Sequence, residues 1–517
     1  MNNFTNGLPK RLYRAAQVQL LDQVVIDELG ISGFDLMQKA GAAAFSTLLE
    51  QWPQTKRLLV FTGAGNNGGD GYILAGLAKE FGMMVDIIQV ADRAKLVGDA
   101  KLALEWAEQK QVSITSFPDF RQQSSIDHSN TVIVDGLLGT GLDREVTGDY
   151  QLAIAWMNDA DYPVLAIDIP SGLNADTGKA MGIAVEADTS VTFIGMKQGL
   201  LTGQGRDFAG TIIFNNLDLR NELYSRNSSP APSARRIDIN DTSEFLTPRI
   251  PSSHKGNHGH VVIMGGDYGY GGAVLMAAEA AHRCGAGLVS VITRSVHRTA
   301  LLGRRPEVMA FGTEDDSEAI DKILTRANVI VIGPGLGQSE WSRTLMQIAL
   351  SKQVSAGIPL VVDADGLNLL SERSESGAPI KRGNWILTPH PGEAARLLDS
   401  SIEEVQADRF AAVTELNNKW GGCCLLKGCG SLICVSDKEL FLCTEGNAGM
   451  ASGGMGDVLS GVIAGLVAQG MTLEQSLCCG VCIHGEAADL AMEADGQRGM
   501  LATDLFLHIR QLINPAV

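Results

Sequence analysis

The chain has 517 residues and lacks features that would place it among membrane, secreted or nucleic-acid-binding proteins. No run of about 18 apolar residues occurs, so no membrane-spanning helix is expected. Its 41 basic residues are outnumbered by 59 acidic ones, for a net charge of −18. This charge repels phosphate backbones, so nucleic acid is not an expected partner. The opening "MNNFTNGLPKRLYRAAQ" has no apolar core of a secretory signal, and we therefore expect a cytoplasmic protein.

Cysteine is absent from the first 283 residues, and all nine cysteines lie between Cys284 and Cys482. No spacing of cysteine and histidine resembles a zinc motif. An odd number of cysteines in apolar stretches predicts reduced, buried thiols. The closest groupings are Cys423, Cys424, Cys429 and Cys478, Cys479, Cys482.

Glycine and apolar residues are abundant, with 59 glycines and 45% hydrophobic residues. Short apolar runs alternate with helical patterns, which predicts parallel sheets covered on both faces. A polar, Ser/Pro-rich stretch at 220–236 is typical of a linker. We therefore expect two different three-layer α/β/α domains, at 1–219 and 237–517. Predicted strands lie at 57–63, 84–90, 131–139, 162–170 and 189–195, and then at 259–266, 287–293, 327–335, 358–365, 384–390 and 421–428.

The stretch "GAGNNGGDG" at 63–71 follows the first of these strands and contains the spacing G-x-G-x-x-G. Such a loop before a helix attracts anions through its N–H groups. One interpretation is a dehydrogenase loop for a nicotinamide cofactor, with Asp92 as the ribose-binding carboxylate. Another is a purely structural turn. Neither explains why Asn66, Asn67 and Asp70 fill the loop.

Polar residues follow two further strands of the first half. Asp135 ends one strand, and Asp168 and Ser171 end the next. Because ligands bind at the carboxyl ends of parallel strands, these residues and Asn67 are expected to converge. Together they suit a hard cation or proton transfer. The alternative is that each aspartate only caps its own turn.

"GISGFDLMQKAGAAA", "GAGNNGGDG", "VDGLLGTG" and "DIPSGLNADTG" together resemble the N-terminal, Rossmann-like domain of bacterial NAD(P)H-hydrate repair proteins. The resemblance covers about residues 10 to 215. It implies interconversion of the R and S forms of NADH and NADPH hydrated at C6, with K⁺ held by Asn67, Asp135 and Ser171. We expect Asp168 to be the acid/base. The implied substrate contacts are Asn66, Asn67, Gly68, Gly69, Asp70, Gly139, Thr140, Gly141, Leu142, Asp143, Arg144, Glu145 and Asp168.

The stretch "TEGNAGMASGGMGDVLSG" at 444–461 is the most informative of the second half. Gly453, Gly454 and Gly456 expose N–H groups at the start of a helix, where they can stabilise a phosphoryl group in transfer. Asp457 follows at once and can accept a proton from an attacking hydroxyl. The sequence therefore predicts an anion hole beside a general base.

This end resembles ribokinase-like phosphotransferases. With "SHKGNHGHVVIMGG", "IGPGLG", "DADGLNLL", "TPHPGEAARLL" and "LLKGCGSLI", about residues 250 to 510 resemble the NAD(P)H-hydrate dehydratase domain. The resemblance implies phosphorylation of the S hydrate by ADP with Mg²⁺, followed by loss of phosphate. Two departures are Met455, where the family usually has Thr, and Cys429 with Gly430, where small or hydroxyl residues are usual. The implied contacts are Ala273, Gly335, His390 and Asp457 for substrate, and Lys427, Gly428, Cys429, Gly430, Ser431 and Gly456 for nucleotide.

Other interpretations stay open at this point. His390 could be a structural histidine, and Lys427 a solvated lysine. The chain could be a ribokinase-like small-molecule kinase with an N-terminal nucleotide-binding regulatory module, or a nucleotide-binding scaffold without activity. In each case we expect small-molecule ligands, no membrane and a homo-oligomer.

Overall fold

The protein is described here by a computed structural model that covers residues 7–122, 130–315, 317–375, 380–435 and 439–514. The chain divides into two compact units, Met1–Arg235 and Arg236–Val517. Within the described ranges, no helix is long and apolar enough to cross a membrane.

The first unit alternates strands and helices from residue 57 onward, as predicted. Its strands are β1 (Arg11–Tyr13), β2 (Arg57–Thr62), β3 (Met84–Gln89), β4 (Ser113–Ser116), β5 (Thr131–Gly136), β6 (Val164–Ile167), β7 (Thr189–Phe193), β8 (Met196–Lys197), β9 (Thr211–Asn215) and β10 (Ala234–Ile237). Its helices are α1 (Ala15–Leu29), α2 (Gly33–Gln51), α3 (Asn66–Glu80), α4 (Gly98–Gln109), α5 (Phe117–Phe120), α6 (Gly148–Asp159) and α7 (Gly205–Phe208).

The central sheet of this unit is parallel and has the order β4-β3-β2-β5-β6-β7-β9. Both of its faces are buried. Along β2, Leu58 and Val60 pack into one core cluster with the long N-terminal helices. The intervening Leu59 and Phe61 pack into a second cluster on the opposite face. This alternation confirms a sheet covered on both sides.

Two local expectations need correction. The segment 220–236 is not a loose linker but folds against the first unit. Leu223 is buried, and the Tyr224 hydroxyl donates to the carbonyl of Ile194 at 2.6 Å. Ala234 pairs with Leu12 of β1. The polar composition of the segment hid these two apolar anchors.

The second correction concerns the stretch 63–71, which was expected to be a loop that precedes a helix. The helix begins at Asn66, so most of "GAGNNGGDG" lies in its first two turns. A Cβ on Gly68 would lie 2.3 Å from the carbonyl oxygen of Gly63, and one on Gly63 would lie 1.9 Å from that of Leu137. These glycines allow the helix to start against the strand ends, which is a packing requirement.

The second unit repeats the alternation with a different topology. Its strands are β11 (His260–Met264), β12 (Leu288–Thr293), β13 (Met309–Gly312), β14 (Val329–Ile332), β15 (Leu360–Val362), β16 (Trp385–Leu387), β17 (Cys423–Leu426), β18 (Ser431–Cys434) and β19 (Leu440–Cys443). Its helices are α8 (Gly271–Arg283), α9 (Arg298–Arg304), α10 (Ser317–Thr325), α11 (Glu340–Ala356), α12 (Asp365–Glu375), α13 (Pro391–Leu398), α14 (Ile402–Ala407), α15 (Arg409–Trp420), α16 (Met455–Ala468), α17 (Leu473–Asp495) and α18 (Leu505–Leu512).

In this unit β13-β12-β11-β14-β15-β16-β17 run parallel in that order, and β18 and β19 continue the sheet as antiparallel strands. Val261 and Val329 pack with α8, α16 and α17 in one core cluster. Two different α/β units are therefore present, as expected. The strands β1, β4, β8, β9, β10, β13, β18 and β19 were not predicted, because they are short.

Candidate active sites

A cavity of about 580 Å³ lies in the first unit at the carboxyl ends of its central strands. Side chains of α1 and α2 close its other side. Gly68, Gly69 and Glu145 do not line it: Gly68 faces the Gly63 carbonyl, Gly69 faces the Met37 side chain, and Glu145 follows the lining loop. The other predicted substrate contacts do, namely Asn66, Asn67, Asp70, Gly139, Thr140, Gly141, Leu142, Asp143, Arg144 and Asp168.

The three predicted potassium ligands meet beside this cavity. Ser171 donates to Asp135 twice, from its hydroxyl at 2.6 Å and from its backbone N–H at 2.7 Å. The carbonyl of Leu138 accepts from both Asn67 Nδ2, at 3.0 Å, and the Ser171 hydroxyl, at 3.2 Å. Burial raises the pKa of Asp135 to about 6, although the hydrogen bonds from Ser171 and Leu137 oppose it.

Asn67 also supplies an acceptor that has no donor. Its Oδ1 is buried and makes no hydrogen bond. An unsatisfied buried oxygen is costly, and a hard cation satisfies it without a proton. The residues present therefore fit a bound monovalent cation next to the Asp135 carboxylate.

Asp168 is held by a residue that the sequence did not point to. The backbone of Asp168 is left-handed, with φ of 64°. Lys197 Nζ donates to Asp168 Oδ1, and also to the Thr192 hydroxyl at 3.1 Å and the Phe193 carbonyl at 3.0 Å. The Lys197 side chain is only 1% exposed. A buried ammonium with three acceptors fixes the position of this carboxylate.

The carboxyl groups of Asp22 and Asp70 also interact with the charge of Lys197. Burial raises the pKa of Asp22 to about 7, with the Asp168 charge adding to it and Lys197 opposing it. Burial, then the charges of Asp168 and Asp22, raise the pKa of Asp70 well above its ordinary value. Asp22 lies on α1 and lines the cavity. The available signal was a charged residue inside the apolar run "VQLLDQVVI".

Asp92, the residue on which the dehydrogenase interpretation depended, has a local role. Its Oδ1 accepts from the backbone N–H of Ala94 at 3.0 Å and caps a short turn. It is not among the described residues that line the cavity. The carboxylate therefore caps a turn outside this cavity.

In the second unit, α16 begins at Met455, within the stretch 444–461. Gly454 is its N-cap, with φ of 96°, a conformation that side chains rarely adopt. The first intrahelical bond runs from Val458 to the Gly454 carbonyl, at 3.0 Å. The N–H groups of Met455, Gly456 and Asp457 precede that bond and are available to an anion.

Asp457 lies next to an ion pair. Lys427 Nζ is 2.7 Å from Asp363 Oδ1, and Asp363 Oδ2 accepts from the Ser460 hydroxyl at 2.7 Å. A Cβ on Gly456 would be 3.3 Å from both Asp363 Oδ2 and Lys427 Nζ. Burial and then the charge of Asp363 raise the pKa of Asp457 to about 7, while Lys427 opposes this. Such a carboxylate can exchange a proton near neutral pH.

The ion pair itself is ionised. Although burial opposes its charge, the Lys427 ammonium holds the pKa of Asp363 below its ordinary value. Burial likewise opposes the charge of Lys427, but Asp363 and Glu393 raise its pKa. Lys427 is therefore a buried cation at the site and not a solvated lysine. Asp363 was not predicted, although it follows β15 in "VVDAD" just as Asp135 ends β5.

His390 caps α13 in the structure. Its Nδ1 accepts from the N–H groups of Gly392, at 3.0 Å, and Glu393, at 3.4 Å. Burial, followed by the charges of Lys427 and Arg396, lowers the pKa of His390. The ring is therefore neutral with its proton on Nε2, and its side chain remains 52% exposed. A structural cap and a ligand contact through Nε2 are both compatible with this geometry.

The predicted nucleotide loop, Lys427 to Ser431, is the turn of a hairpin between β17 and β18. The buried guanidinium of Arg409 donates to the carbonyls of Lys427 at 3.4 Å and Gly430 at 3.3 Å. All nine cysteines are free, and Cys429 is exposed at this turn, which corrects the expectation that every thiol is buried. Arg409 was missed because it lies on α15, outside the loop.

Ala273 and Gly335 are neighbours in the second unit. A Cβ on Gly335 would lie 3.1 Å from Ala273 Cβ, and α8 continues to Met276, whose sulfur would be 2.6 Å from a Cβ on Gly454. A cavity of about 1720 Å³ elsewhere in this unit, near Arg305, contains none of the predicted residues. The predicted site residues of the second unit therefore lie outside this cavity.

Comparison with known proteins agrees with the two-unit architecture. Residues 261–511 match the family described as NAD(P)H-hydrate dehydratase, and residues 33–199 match the family described as YjeF-related protein N-terminus. The chain is 45% identical over 506 residues to the bifunctional NAD(P)H-hydrate repair enzyme Nnr of Coxiella burnetii, covering 98% of this chain and 99% of that one. It is 41% identical over 515 residues to the enzyme of the same name from Escherichia coli K12, covering 99% and 95%.

Among solved structures, a ribokinase-like superfamily protein from Enterococcus faecalis V583 resembles the chain with a TM-score of 0.50. It is 31% identical and covers 54% of this chain and 95% of its own. That similarity supports the ribokinase-like fold expected for one of the two units.

Proposed function

Because the chain belongs to the family of bifunctional NAD(P)H-hydrate repair enzymes, we propose that each of its two units carries one of the two activities. The first unit interconverts the R and S forms of NADH and NADPH hydrated at C6. The second unit dehydrates the S form and converts ADP to AMP and phosphate. In this proposal the first domain is the expected 1–219 extended by the segment 220–235 that folds against it, and the second domain is 236–517.

In the second unit, the C6 hydroxyl of the S hydrate attacks the terminal phosphorus of ADP and gives its proton to Asp457. AMP leaves, and charge on the transferring group is stabilised by the N–H groups at the start of α16 and by Lys427. Phosphate then departs from C6 and a proton from C5, which restores the C5–C6 double bond. Mg²⁺ bound with ADP supplies charge neutralisation on the phosphates.

The observation that carries this proposal is the position of Asp457. It lies in the first turn of α16 with a pKa of about 7, beside the Lys427–Asp363 pair. A base that exchanges protons near neutral pH, an anion-binding helix start and a buried cation are the groups that phosphoryl transfer to a hydroxyl needs. Ala273, Gly335 and His390 then contact the hydrate, and Lys427 to Ser431 with Gly456 contact the nucleotide.

In the first unit, epimerisation requires the C6 hydroxyl to leave as water and a water molecule to return on the opposite face. Asp22, with a pKa of about 7, donates the proton to the leaving hydroxyl. Asp168, fixed by Lys197, orients the ring and accepts the proton of the returning water. This assigns the acid/base work to a pair and not to Asp168 alone. The cavity loops supply the remaining contacts to the dinucleotide.

A potassium ion would be held by Asn67 Oδ1, Asp135 and Ser171 in this proposal. The support for it is the buried Asn67 oxygen that makes no hydrogen bond. The ion supplies a fixed positive charge beside the cavity. Location in the cytoplasm and assembly as a homo-oligomer remain predictions.

Paired substitutions test the assignment of activities to units. Asp457→Asn is expected to abolish AMP formation from the S hydrate while leaving R-to-S interconversion intact. Lys197→Met is expected to do the reverse. Chromatographic separation of the two hydrates and quantification of AMP measure both reactions in one sample. Loss of both activities from either single substitution contradicts the proposal, and a stable phosphorylated hydrate would indicate a kinase without elimination.

A further inference from the structure

A group of metal-ligating side chains lies in the second unit, outside the residues assigned to the reaction. Cys443 ends β19, Glu445 follows two residues later, and Cys482 lies on α17. One ligand atom from each, two sulfurs and a carboxylate oxygen, fall within 4.8 Å of one another. The two cysteines are far apart in sequence, which is why their spacing resembled no zinc motif.

The geometry matches a tetrahedral soft-metal site closely. With Zn–S bonds of about 2.3 Å and Zn–O bonds of about 2.0 Å, ligand atoms in such a site are roughly 3.5–3.8 Å apart. Cys443 Sγ and Glu445 Oε2 are 3.8 Å apart. The fit therefore needs side-chain adjustments of less than the length of one bond.

A backbone contact holds Glu445 within this group. The N–H of Ile239 donates a hydrogen bond to Glu445 Oε1 at 2.6 Å. The second carboxylate oxygen, Oε2, is the one that lies near Cys443.

The backbone approach that forms this group is built into the chain. A Cβ on Gly485 would lie 2.8 Å from the carbonyl of Glu445, so α17 can reach the end of β19 only because residue 485 has no side chain. Glu445 is half-buried, which leaves a route from solvent, while Cys443 and Cys482 are each 1% exposed.

We propose that Cys443, Glu445 and Cys482 form a binding site for one thiophilic divalent cation of the zinc class, with the fourth position open to water. Two sulfurs select such a cation over Mg²⁺, which prefers oxygen ligands. Binding releases the two thiol protons, because each sulfur binds as a thiolate. The bound ion links β19 to α17, at the start of the stretch 444–461.

Cobalt is a direct probe, since Co²⁺ bound by thiolates shows a ligand-to-metal charge-transfer absorbance. The reduced full-length protein, without nucleotide, is titrated with Co²⁺ in weak buffer. We expect the absorbance to saturate at one Co²⁺ per chain, with release of protons, and to disappear when Zn²⁺ displaces the cobalt. Glu445→Gln is expected to retain the thiolate absorbance but to lower the affinity at least about tenfold.

Matched cysteine variants locate the site. Cys443→Ser and Cys482→Ser are expected to lose the absorbance, whereas Cys284→Ser, a buried thiol outside the group, and Cys429→Ser, the exposed one, are expected to keep it. Circular dichroism of each variant verifies folding. The proposal is overturned if the wild-type protein shows no charge-transfer absorbance, or if it persists in the Cys443→Ser/Cys482→Ser double variant.

Discussion

The ammonium group of Lys427 lies 2.7 Å from the carboxylate of Asp363, although 64 residues separate them in the chain. Asp363 follows β15 and Lys427 follows β17, so the pair marks the carboxyl edge of the parallel sheet. Asp457 lies beside it at the start of α16. Burial and then this pair therefore act on the charge state of Asp457, and the dehydration reaction is expected to report on it.

The first prediction is a pH profile for dehydration. Because the pKa of Asp457 is about 7, the base is protonated below that pH, and kcat/KM with the S hydrate and ADP is expected to fall tenfold per pH unit there. Asp363→Asn removes a negative charge that raises this pKa, so the fall is expected to begin at lower pH. Asp495→Asn, an exposed carboxyl on α17, is the control and should leave the profile unchanged. A profile that is flat from pH 5 to 8 contradicts Asp457 as the base.

The second prediction concerns Arg409, whose guanidinium holds the carbonyls of the turn from Lys427 to Gly430. Arg409→Met removes the hydrogen bonds that the guanidinium donates to these carbonyls, at a cost of about 1–3 kcal/mol. We expect a higher KM for ADP with a smaller change in kcat, because the turn carries the proposed nucleotide contacts while the N–H groups at the start of α16 lie outside it. Initial-rate kinetics measure both, with the exposed Arg510→Met as control. An unchanged KM would show that the turn does not bind nucleotide.

The third prediction is a potassium dependence of stability in the first unit. A cation that satisfies Asn67 Oδ1 binds only the folded state, so KCl is expected to raise the melting temperature in a saturable manner. Choline chloride at equal ionic strength should not. In Asn67→Leu, which removes the acceptor, the effect of potassium is expected to vanish. Equal effects of the two salts on the wild-type protein would argue against the ion site.

The fourth prediction follows from Asp22. Its pKa in the folded protein, about 7, is above the value of about 3.9 for an unfolded chain, so between these pH values the folded state binds more protons. The free energy of unfolding is therefore expected to decrease as pH rises from 4 to 7, by at most ~1.4 kcal/mol per pH unit from this residue. Asp22→Asn is expected to reduce that slope. Denaturant unfolding of both proteins across this range checks it; an identical slope contradicts a raised pKa.

The positions of the site aspartates could be predicted from the sequence better than the residues that contact them. Asp135, Asp168 and Asp457 follow strands or start a helix, and those positions can be recognised from local patterns. Asp363 follows a strand in the same way and could have been found by the same reasoning. Lys197 could not, because its role depends on a contact with Asp168 that only the folded chain creates.

The start of α3 and the segment 220–236 show a second limit of prediction from the sequence. The glycines of "GAGNNGGDG" suggested a loop, yet Gly68, Gly69 and Gly71 lie in the first two turns of α3, where Gly68 packs against the carbonyl of Gly63. In 220–236 the two anchors Leu223 and Tyr224 are too few to form a periodic pattern. In both places tertiary packing overrides local composition.

The most direct test of the account is recovery of intact cofactor from a mixture of both hydrates. The purified protein is incubated with R and S hydrated NADPH, ADP, Mg²⁺ and K⁺, and the near-ultraviolet absorbance of the reduced nicotinamide is followed. We predict complete recovery, faster than spontaneous epimerisation permits, with one AMP formed per NADPH. Recovery that stops when the S form is exhausted would contradict the epimerase assignment, and no recovery with ADP or ATP would contradict the repair function itself.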